Sequence, residues 1–366
     1  MKNKFIVACA GSGKTTTIIN SVLSSKSTKK ILITTFTDEN CEEIKRKFIS
    51  EKGYIPSNVD VLPWFTFEIR HLIKPYLHPV VEDNVNGVHF VTSQSAPYIS
   101  QTKKQHYVDT DNKVYSDKIA LLAYKTICDE QNVLKRLAAI YEEIYIDEFQ
   151  DFVGYDLDIV KKIMESGFKV LIVGDPRQKT YSTHFSQRNK KYVNDKESFI
   201  KNECSTICEI DTTSLNGSYR CSQKVIAYAS RLFPQYQSSS SKKESDDNDC
   251  IYLVCNSEIN SFMSANEPVI ILRNDAKTKV AVLSQVFTFG KSKGSTFENV
   301  LIYPTQDIKK AILNSDFSKI TSPITLSKLY VALTRAKHKV GIVVQDSEIK
   351  KNKDSSIMVW NDSPTE

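Results

Sequence analysis

Cys9-Ala10-Gly11-Ser12-Gly13-Lys14-Thr15-Thr16 directly follows the apolar run Phe5-Ile6-Val7-Ala8. Glycines at this spacing let a backbone turn tightly and offer successive N–H groups to an anion, and a helix opening at Lys14 adds the positive end of its dipole. A lysine there reaches the outer phosphates of a nucleotide, and the threonine hydroxyl after it can sit on Mg²⁺. Ala10, Gly11, Ser12, Gly13, Lys14, Thr15 and Thr16 are therefore candidate contacts to a nucleoside triphosphate, with Thr15 also a metal ligand. Ala8 stands where the usual pattern begins with glycine. The plainer reading, a glycine turn between a strand and a helix, does not explain the Gly-Lys-Thr order.

A second set of chemical groups lies at Asp147-Glu148-Phe149-Gln150-Asp151, after the apolar Ile144-Tyr145-Ile146. Adjacent carboxylates repel unless a cation is present. Phosphoryl transfer from a nucleotide needs a carboxylate to hold the metal, a residue to orient water, and cations for the charge that develops. Asp147 and Glu148 fit the first two needs. The competing reading is a pair of solvated turn acids. Gly174-Asp175-Pro176 ends a further apolar stretch, 169–173.

The elements that must position these groups follow from the pattern. Apolar runs at 5–8, 30–35, 59–62, 144–146 and 169–173 alternate with helical stretches. That alternation predicts a parallel sheet with helical crossovers, and chemistry in such sheets gathers at the carboxyl ends of the strands. Lys14, Asp147 and Asp175 would all lie there. Thr37 is a plausible N-cap for a helix near 39–48. Residues 78–116 break the rhythm and read as an insertion, with a solvated hairpin turn at 109–113 preferred over a calcium loop. A second α/β region begins near 206, with strands at 251–255, 268–272, 299–303 and 339–344. Four serines and a charged run mark 234–249 as a flexible loop rather than an element. The expected fold is α/β with two parallel-sheet domains, 1–205 and 206–366.

Bulk properties bound the partners. The chain has 366 residues, 40% hydrophobic and 25% charged, with a net charge of +6. That length can bury two cores, and a mild basic excess suits a polyanion. No stretch approaches the roughly 20 apolar residues that span a bilayer, and no signal peptide is visible. A cytoplasmic protein with no membrane partner is expected. The eight cysteines are scattered, which favours reduced thiols over a disulfide framework, and Cys204/Cys208 and Cys250/Cys255 lack usual zinc spacing.

Seven segments, in order, resemble the motifs of superfamily 1 DNA helicases of the UvrD/Rep/PcrA family. Residues 8–16 resemble motif I, and Thr34-Thr35-Phe36-Thr37 resembles motif Ia. Ile146–Asp151 resembles motif II, and Val173-Gly174-Asp175-Pro176-Arg177-Gln178-Lys179-Thr180-Tyr181 resembles motif III. Leu215–Arg220 resembles motif IV, Thr288–Gly294 motif V, and Tyr330–Lys337 motif VI.

The resemblance implies two RecA-like domains with an ATP cleft between them, using ATP and Mg²⁺. It implies that Thr15 and Asp147 hold the ion and that Glu148 is the general base or water-orienting carboxylate. Gln178 would sense the terminal phosphate, Tyr219 would stack on adenine, and Arg220 and Arg335 would act as arginine fingers. Single-stranded DNA, or DNA junctions and ends, would meet Phe36, Trp64, Phe65, Thr66, Arg273, Asn274 and Thr288, with Trp64 the leading candidate for stacking. The implied activity is a single-strand DNA translocase or helicase, of 3′→5′ polarity. An alternative is a DNA-sensing ATPase subunit beside an OLD-family-like nuclease, as in Gabija-type anti-phage defence.

The pattern also departs from that family. Only Met1–Lys4 precede the first strand, where a glutamine-bearing segment is usual. Motif III continues into Ser182-Thr183-His184, so its aromatic wedge is missing or shifted to Phe185. Motif V has Gly290 in place of the common histidine and Ser295-Thr296 in place of glutamate. Only residues 274–287 stand where a long helical insertion is usual. Residues 345–366 match no motif and read as either a docking tail or a frayed end.

Overall fold

The computed structural model describes residues 3–76, 78–81, 85–180, 186–244, 246, 249–280 and 284–361. The chain divides into two compact units. One comprises Met1–Ile6, Lys14–Gly174 and Ser182–Asp211; the other comprises Val7–Gly13, Asp175–Tyr181 and Thr212–Glu366.

The first unit is built on six strands: β1 (Asn3–Val7), β2 (Lys30–Thr35), β3 (Val59–Pro63), β4 (Tyr141–Ile146), β5 (Lys169–Gly174) and β6 (Cys208–Asp211). They lie in the order β3-β2-β4-β5-β1-β6. The pairings β1–β6, β2–β3, β2–β4 and β4–β5 are parallel. Ile31, Leu32 and Ile33 of β2 are all buried. A strand apolar on both faces needs cover on both, which the crossover helices supply. These include α1 (Lys14–Leu23), α2 (Asp38–Lys52), α3 (Ile119–Asp129) and α4 (Tyr155–Glu165). Thr37 caps α2 as its sequence predicts, its hydroxyl accepting from the Asn40 N–H at 3.2 Å. The insertion carries a small sheet of Val88–His89 and Val114–Tyr115. Its turn is closed by Asp109, whose Oδ1 accepts from the N–H groups of Asp111 and Lys113, each at 2.9 Å. No ion is needed to explain that turn.

The second unit holds β7 (Ile251–Cys255), β8 (Val269–Arg273), β9 (Val286–Thr288), β10 (Asn299–Tyr303), β11 (Val340–Val344) and β12 (Met358–Val359). The order is β9-β8-β10-β11-β7-β12, and every pairing is parallel. All residues of β10 and β11 are buried. Helices α5 (Gln223–Ser230) and α6 (Pro323–Leu333) contribute to its core.

One expectation changes here and one open choice narrows. The stretch 234–249 is not featureless: Ser240–Ser241 pairs with Gly217–Ser218, and Ser239 is buried. Gly217 explains the close approach, since a Cβ there would lie 2.5 Å from the Lys242 side chain. The C-terminal stretch docks: Met358–Val359 extends the second sheet beside β7. Trp360 donates its indole N–H to Ser261 Oγ at 3.1 Å and packs edge-on against Tyr252 and Phe262.

Candidate nucleotide-hydrolysis site

Strand β4 delivers Asp147 to the carboxyl edge of the first sheet, where its N–H donates to the Thr34 carbonyl of β2 at 2.9 Å. Asp147 is 2% exposed. Its Oδ2 accepts from the Thr15 hydroxyl at 3.2 Å, and its Oδ1 from the Glu148 N–H at 2.8 Å. Glu148 has φ 55°, a left-handed conformation costly for a side-chain-bearing residue and typical of functional turns. Gly174, at the end of β5, makes room for this turn: a Cβ there would meet Gln150 Oε1 at 2.9 Å and the Phe149 nitrogen at 3.2 Å. The Gln150 amide donates to Glu148 Oε2, and Lys14 Nζ lies 3.9 Å from Glu148 Oε1.

Burial, then the neighbouring Glu148, push the Asp147 pKa up to about 6; Lys14 and the hydrogen bonds from Glu148 and Thr15 offset only part of this. A cation beside these two carboxylates would offset the repulsion that raises Asp147. A hydroxyl and a carboxylate are hard oxygen donors, which suit Mg²⁺. Thr15 and Asp147 thus fit the ion the sequence implies, and such a cation would draw the Asp147 pKa back down.

The second unit carries the glycine turn and the basic residues. Gly11 has φ 71° and Gly13 φ 84°. A Cβ on Gly11 would lie 2.6 Å from Arg220 Cβ and 2.8 Å from Ser218 Oγ, so glycine is required there twice over. The turn is bonded to the Leu215–Arg220 segment: the Cys9 N–H donates to Leu215 O and the Tyr219 N–H to Gly11 O, each at 2.9 Å. The Ala10 N–H donates to the Tyr330 hydroxyl of α6 at 3.3 Å. Arg177, 2% exposed, donates to the Ala8 carbonyl at 2.8 Å, Asp175 Oδ1 at 2.8 Å and Ser239 Oγ at 3.1 Å. Its guanidinium lies 5.4 Å from the Tyr330 ring centre.

Gln178 and Arg335 meet in this cluster. Arg335 Nη2 donates to Gln178 Oε1 at 3.4 Å, and Gln178 Nε2 donates to Asp175 Oδ2 at 2.8 Å. Arg335 also donates to the carbonyls of Val331 (3.2 Å) and Ser295 (3.1 Å), and Arg220 to that of Thr334 at 3.2 Å. Tyr219 is 61% exposed, with Lys242 Nζ 5.0 Å from its ring centre.

Comparison with known families bears on these groups. The model of the viral superfamily 1 RNA helicase core domain matches residues 66–344, more than half of the chain. The chain belongs to the superfamily 1 helicases. The UvrD/REP helicase N-terminal domain matches residues 1–69. The crystal structure of the arterivirus nonstructural protein 10 helicase is similar to this fold, with TM-score 0.50 and 13% identity over 96% of this chain and 62% of that one. The structure of that helicase in complex with DNA gives TM-score 0.47 at 13% identity, covering 93% of this chain and 60% of that one. The chain therefore spans less than two thirds of the length of the helicase it matches. No curated protein sequence matches it. The two parallel sheets are those of two RecA-like domains, as the motif order implies.

The helicase motifs are positioned unevenly for strand contact. Trp64, the leading stacking candidate, is corrected by its placement: it is 2% exposed, donates its indole N–H to Asp156 Oδ1 at 3.0 Å, and packs against Phe67 and Phe152. Pro63 ends β3 and turns that side chain into the core. Phe36 is half-buried against Phe152. Phe65 is half-buried, with the 76% exposed Phe90 of the insertion at 5.9 Å, and Thr66 is exposed. Arg273 and Thr288 are register partners where β8 and β9 end, and Asn274 follows directly. The wedge candidate Phe185 lies outside the described residues, as does Tyr181 of motif III. Among the described residues, no helix is long and apolar enough to cross a membrane.

Two contributors escaped sequence reasoning, Arg177 and Tyr330. The signal for Arg177 was a charged residue two positions after Asp175, within reach of its carboxylate. Tyr330 offered only a hydroxyl on an otherwise apolar helix face.

Proposed function

We propose that this chain is an ATPase motor that moves along single-stranded DNA in the 3′→5′ direction. The observation that carries the hydrolytic part is the Lys14–Thr15–Asp147–Glu148 constellation, in which a buried acid and its half-buried, repelling neighbour stand beside a phosphate-binding lysine. Lys14 binds the outer phosphates, Thr15 and Asp147 hold Mg²⁺, and Glu148 orients and deprotonates the attacking water. Mg²⁺ supplies charge neutralisation on the phosphates when bound. Ala10, Gly11, Ser12, Gly13 and Thr16 line the nucleotide, and Tyr219 offers its exposed ring to the base. Gln178, Arg220 and Arg335 answer charge on the transferred group, for which planar guanidinium forks are suited.

Strand contact rests on Phe36, Phe65, Thr66, Arg273, Asn274 and Thr288, a mix of rings and polar groups that binds a strand without reading its sequence. The test is ATP turnover of the full chain with and without single-stranded DNA, and separately RNA, beside Glu148→Gln. Strand-stimulated turnover lost in the variant supports the reading; turnover retained by Lys14→Ala ends it. Strand-stimulated hydrolysis without unwinding favours the alternative, a sensing subunit of a nuclease-containing anti-phage complex.

A further inference from the structure

The first unit contains a cavity of about 270 Å³ that the hydrolysis site does not use. It is lined by Gln94, Gln101 and His106 of the insertion, Lys118 just before α3, Tyr155 of α4, and Arg188. The volume sits just below the usual range for small-molecule sites, ~300–1,000 Å³.

The hydrogen-bonding capacity of the walls is specific. His106 is 8% exposed, and its Nδ1 lies 2.6 Å from the Ile99 carbonyl. A carbonyl only accepts, so Nδ1 carries the proton. Burial also holds the imidazole pKa below its ordinary value, which keeps the ring neutral and leaves Nε2 as a bare acceptor. Lys118 is 5% exposed, and its ammonium donates to Asp117 Oδ2 at 3.0 Å. Asp117 is itself engaged by the Ser95 N–H at 3.1 Å and the Ser95 hydroxyl at 2.5 Å. An ammonium has three N–H groups, and among the described residues Asp117 takes the one that is bonded. The side-chain amides of Gln94 and Gln101 have no hydrogen-bond partner among the described residues.

Charge in the cavity is balanced. Lys118 pairs with Asp117, and Arg188 pairs with Asp158 through two bonds of 2.8 and 3.0 Å. An anion would gain little there and would face the lone pair of His106. The walls instead offer donors and acceptors side by side, with the Tyr155 ring, backed by Tyr124 at 5.5 Å, as a flat apolar face. Those features match a neutral planar heterocycle with both donors and acceptors on its edge.

We propose that this cavity receives one unpaired nucleobase. The proposal rests on the reading of the chain as a nucleic-acid motor and adds a site that binds bases rather than phosphates.

The test measures binding of the full chain to a labelled single strand and to the same strand made abasic throughout, at several salt concentrations. The wild type is expected to bind the base-bearing strand about tenfold more tightly, in line with the ~1–3 kcal/mol measured per stacked base. The Gln94→Ala/Gln101→Ala double variant alters exposed side chains, so it folds and keeps strand-free ATP turnover. It should lose most of this contrast of about tenfold between the two strands, leaving only the share due to the rings of Phe36 and Phe65, while its salt slope stays unchanged, because no phosphate contact is removed. Lys118→Met should do the same.

Displacement of the strand contrast by free nucleosides, absent in the double variant, assigns the site to a free base; no displacement assigns it to a base within a strand. A contrast as large in the double variant as in the wild type overturns the proposal, as does equal wild-type binding of both strands. Failure of the wild type to bind either strand overturns instead the nucleic-acid reading beneath it. Loss in the double variant of binding to a protein partner, with strand binding intact, also overturns it.

Discussion

Asp147 and Arg177 are each 2% exposed, and each stands beside a carboxylate that acts strongly on it. For Asp147 that neighbour is Glu148, of like charge, on a residue in a left-handed turn. For Arg177 it is Asp175 at 2.8 Å, and two further donors end on Ala8 O and Ser239 Oγ. One group is buried in conflict with its surroundings and the other in agreement. Folding alone does not reward an acid pair whose repulsion is only partly offset, and the proposed cation and its phosphates would relieve that conflict. The agreement is explained by architecture: Arg177 fixes the backbone of the phosphate turn. Buried charge marks proposed chemistry at Asp147 and support at Arg177.

The sharpest way to break this comparison is to neutralise both residues that carry it. Glu148→Gln removes the like charge and the proton acceptor together. ATP turnover should fall about 10²–10⁴-fold, while thermal stability holds or rises because the repulsion is relieved. Arg177→Met should do the reverse in kind. Removing one partner of a buried pair strands the other, at a cost of about 3–5 kcal/mol. Denaturant unfolding followed alongside turnover checks both outcomes. If Glu148→Gln costs more stability than Arg177→Met, the assignment of conflict to the Asp147–Glu148 pair and support to Arg177 is wrong.

A buried base offers a second contrast. His71 stacks on Phe67 at 5.7 Å between ring centres, and its Nε2 lies 3.4 Å from the Tyr141 hydroxyl. Burial first, then Arg136, Arg70 and Lys30 against a partial offset from Asp60, lower its pKa to about 4. The unfolded chain, with an ordinary imidazole near 6.5, binds more protons than the folded one across this window. Stability present above pH 6.5 is therefore lost as pH falls toward 4, by on the order of 3 kcal/mol. His71→Phe keeps the stacking and should flatten that acid limb. An unchanged slope in unfolding curves between pH 6.5 and 5, where most carboxylates are still ionised, rules the account out.

Legibility in the sequence tracked the physical kind of each signal. Strand–helix alternation gave both sheets, because apolar runs such as Ile31-Leu32-Ile33 must be covered on both faces. The acid pair stood out because two adjacent carboxylates after a buried strand have no structural use. Trp64 was misread because an aromatic at a strand end looks the same whether it points outward or, as here, bonds to Asp156 within the core. The serine run at 238–241 looked like a linker by composition, yet its small side chains let the backbone pair beside Gly217. Docking of the C-terminal stretch on β7 was hidden because Met358–Val359 is too short to show alternation. Long-range partners of single polar atoms, such as Ala10 with Tyr330, leave no trace in local pattern.

That last contact offers the finest discrimination. Tyr330→Phe deletes only the hydroxyl that accepts from the Ala10 N–H at 3.3 Å. The ring beneath Arg177 and its edge contact with Phe233 at 5.8 Å are kept. A single neutral hydrogen bond is worth about 0.5–1.5 kcal/mol net. If the hydroxyl only helps hold the core together, the melting temperature falls slightly and nucleotide affinity does not change. If it holds the phosphate turn in its binding shape, nucleotide affinity drops roughly fivefold while turnover at saturating ATP is nearly preserved, since Lys14 and Glu148 are untouched. The KM-against-kcat split separates the two, and an unchanged KM would confine the support role to Arg177 alone.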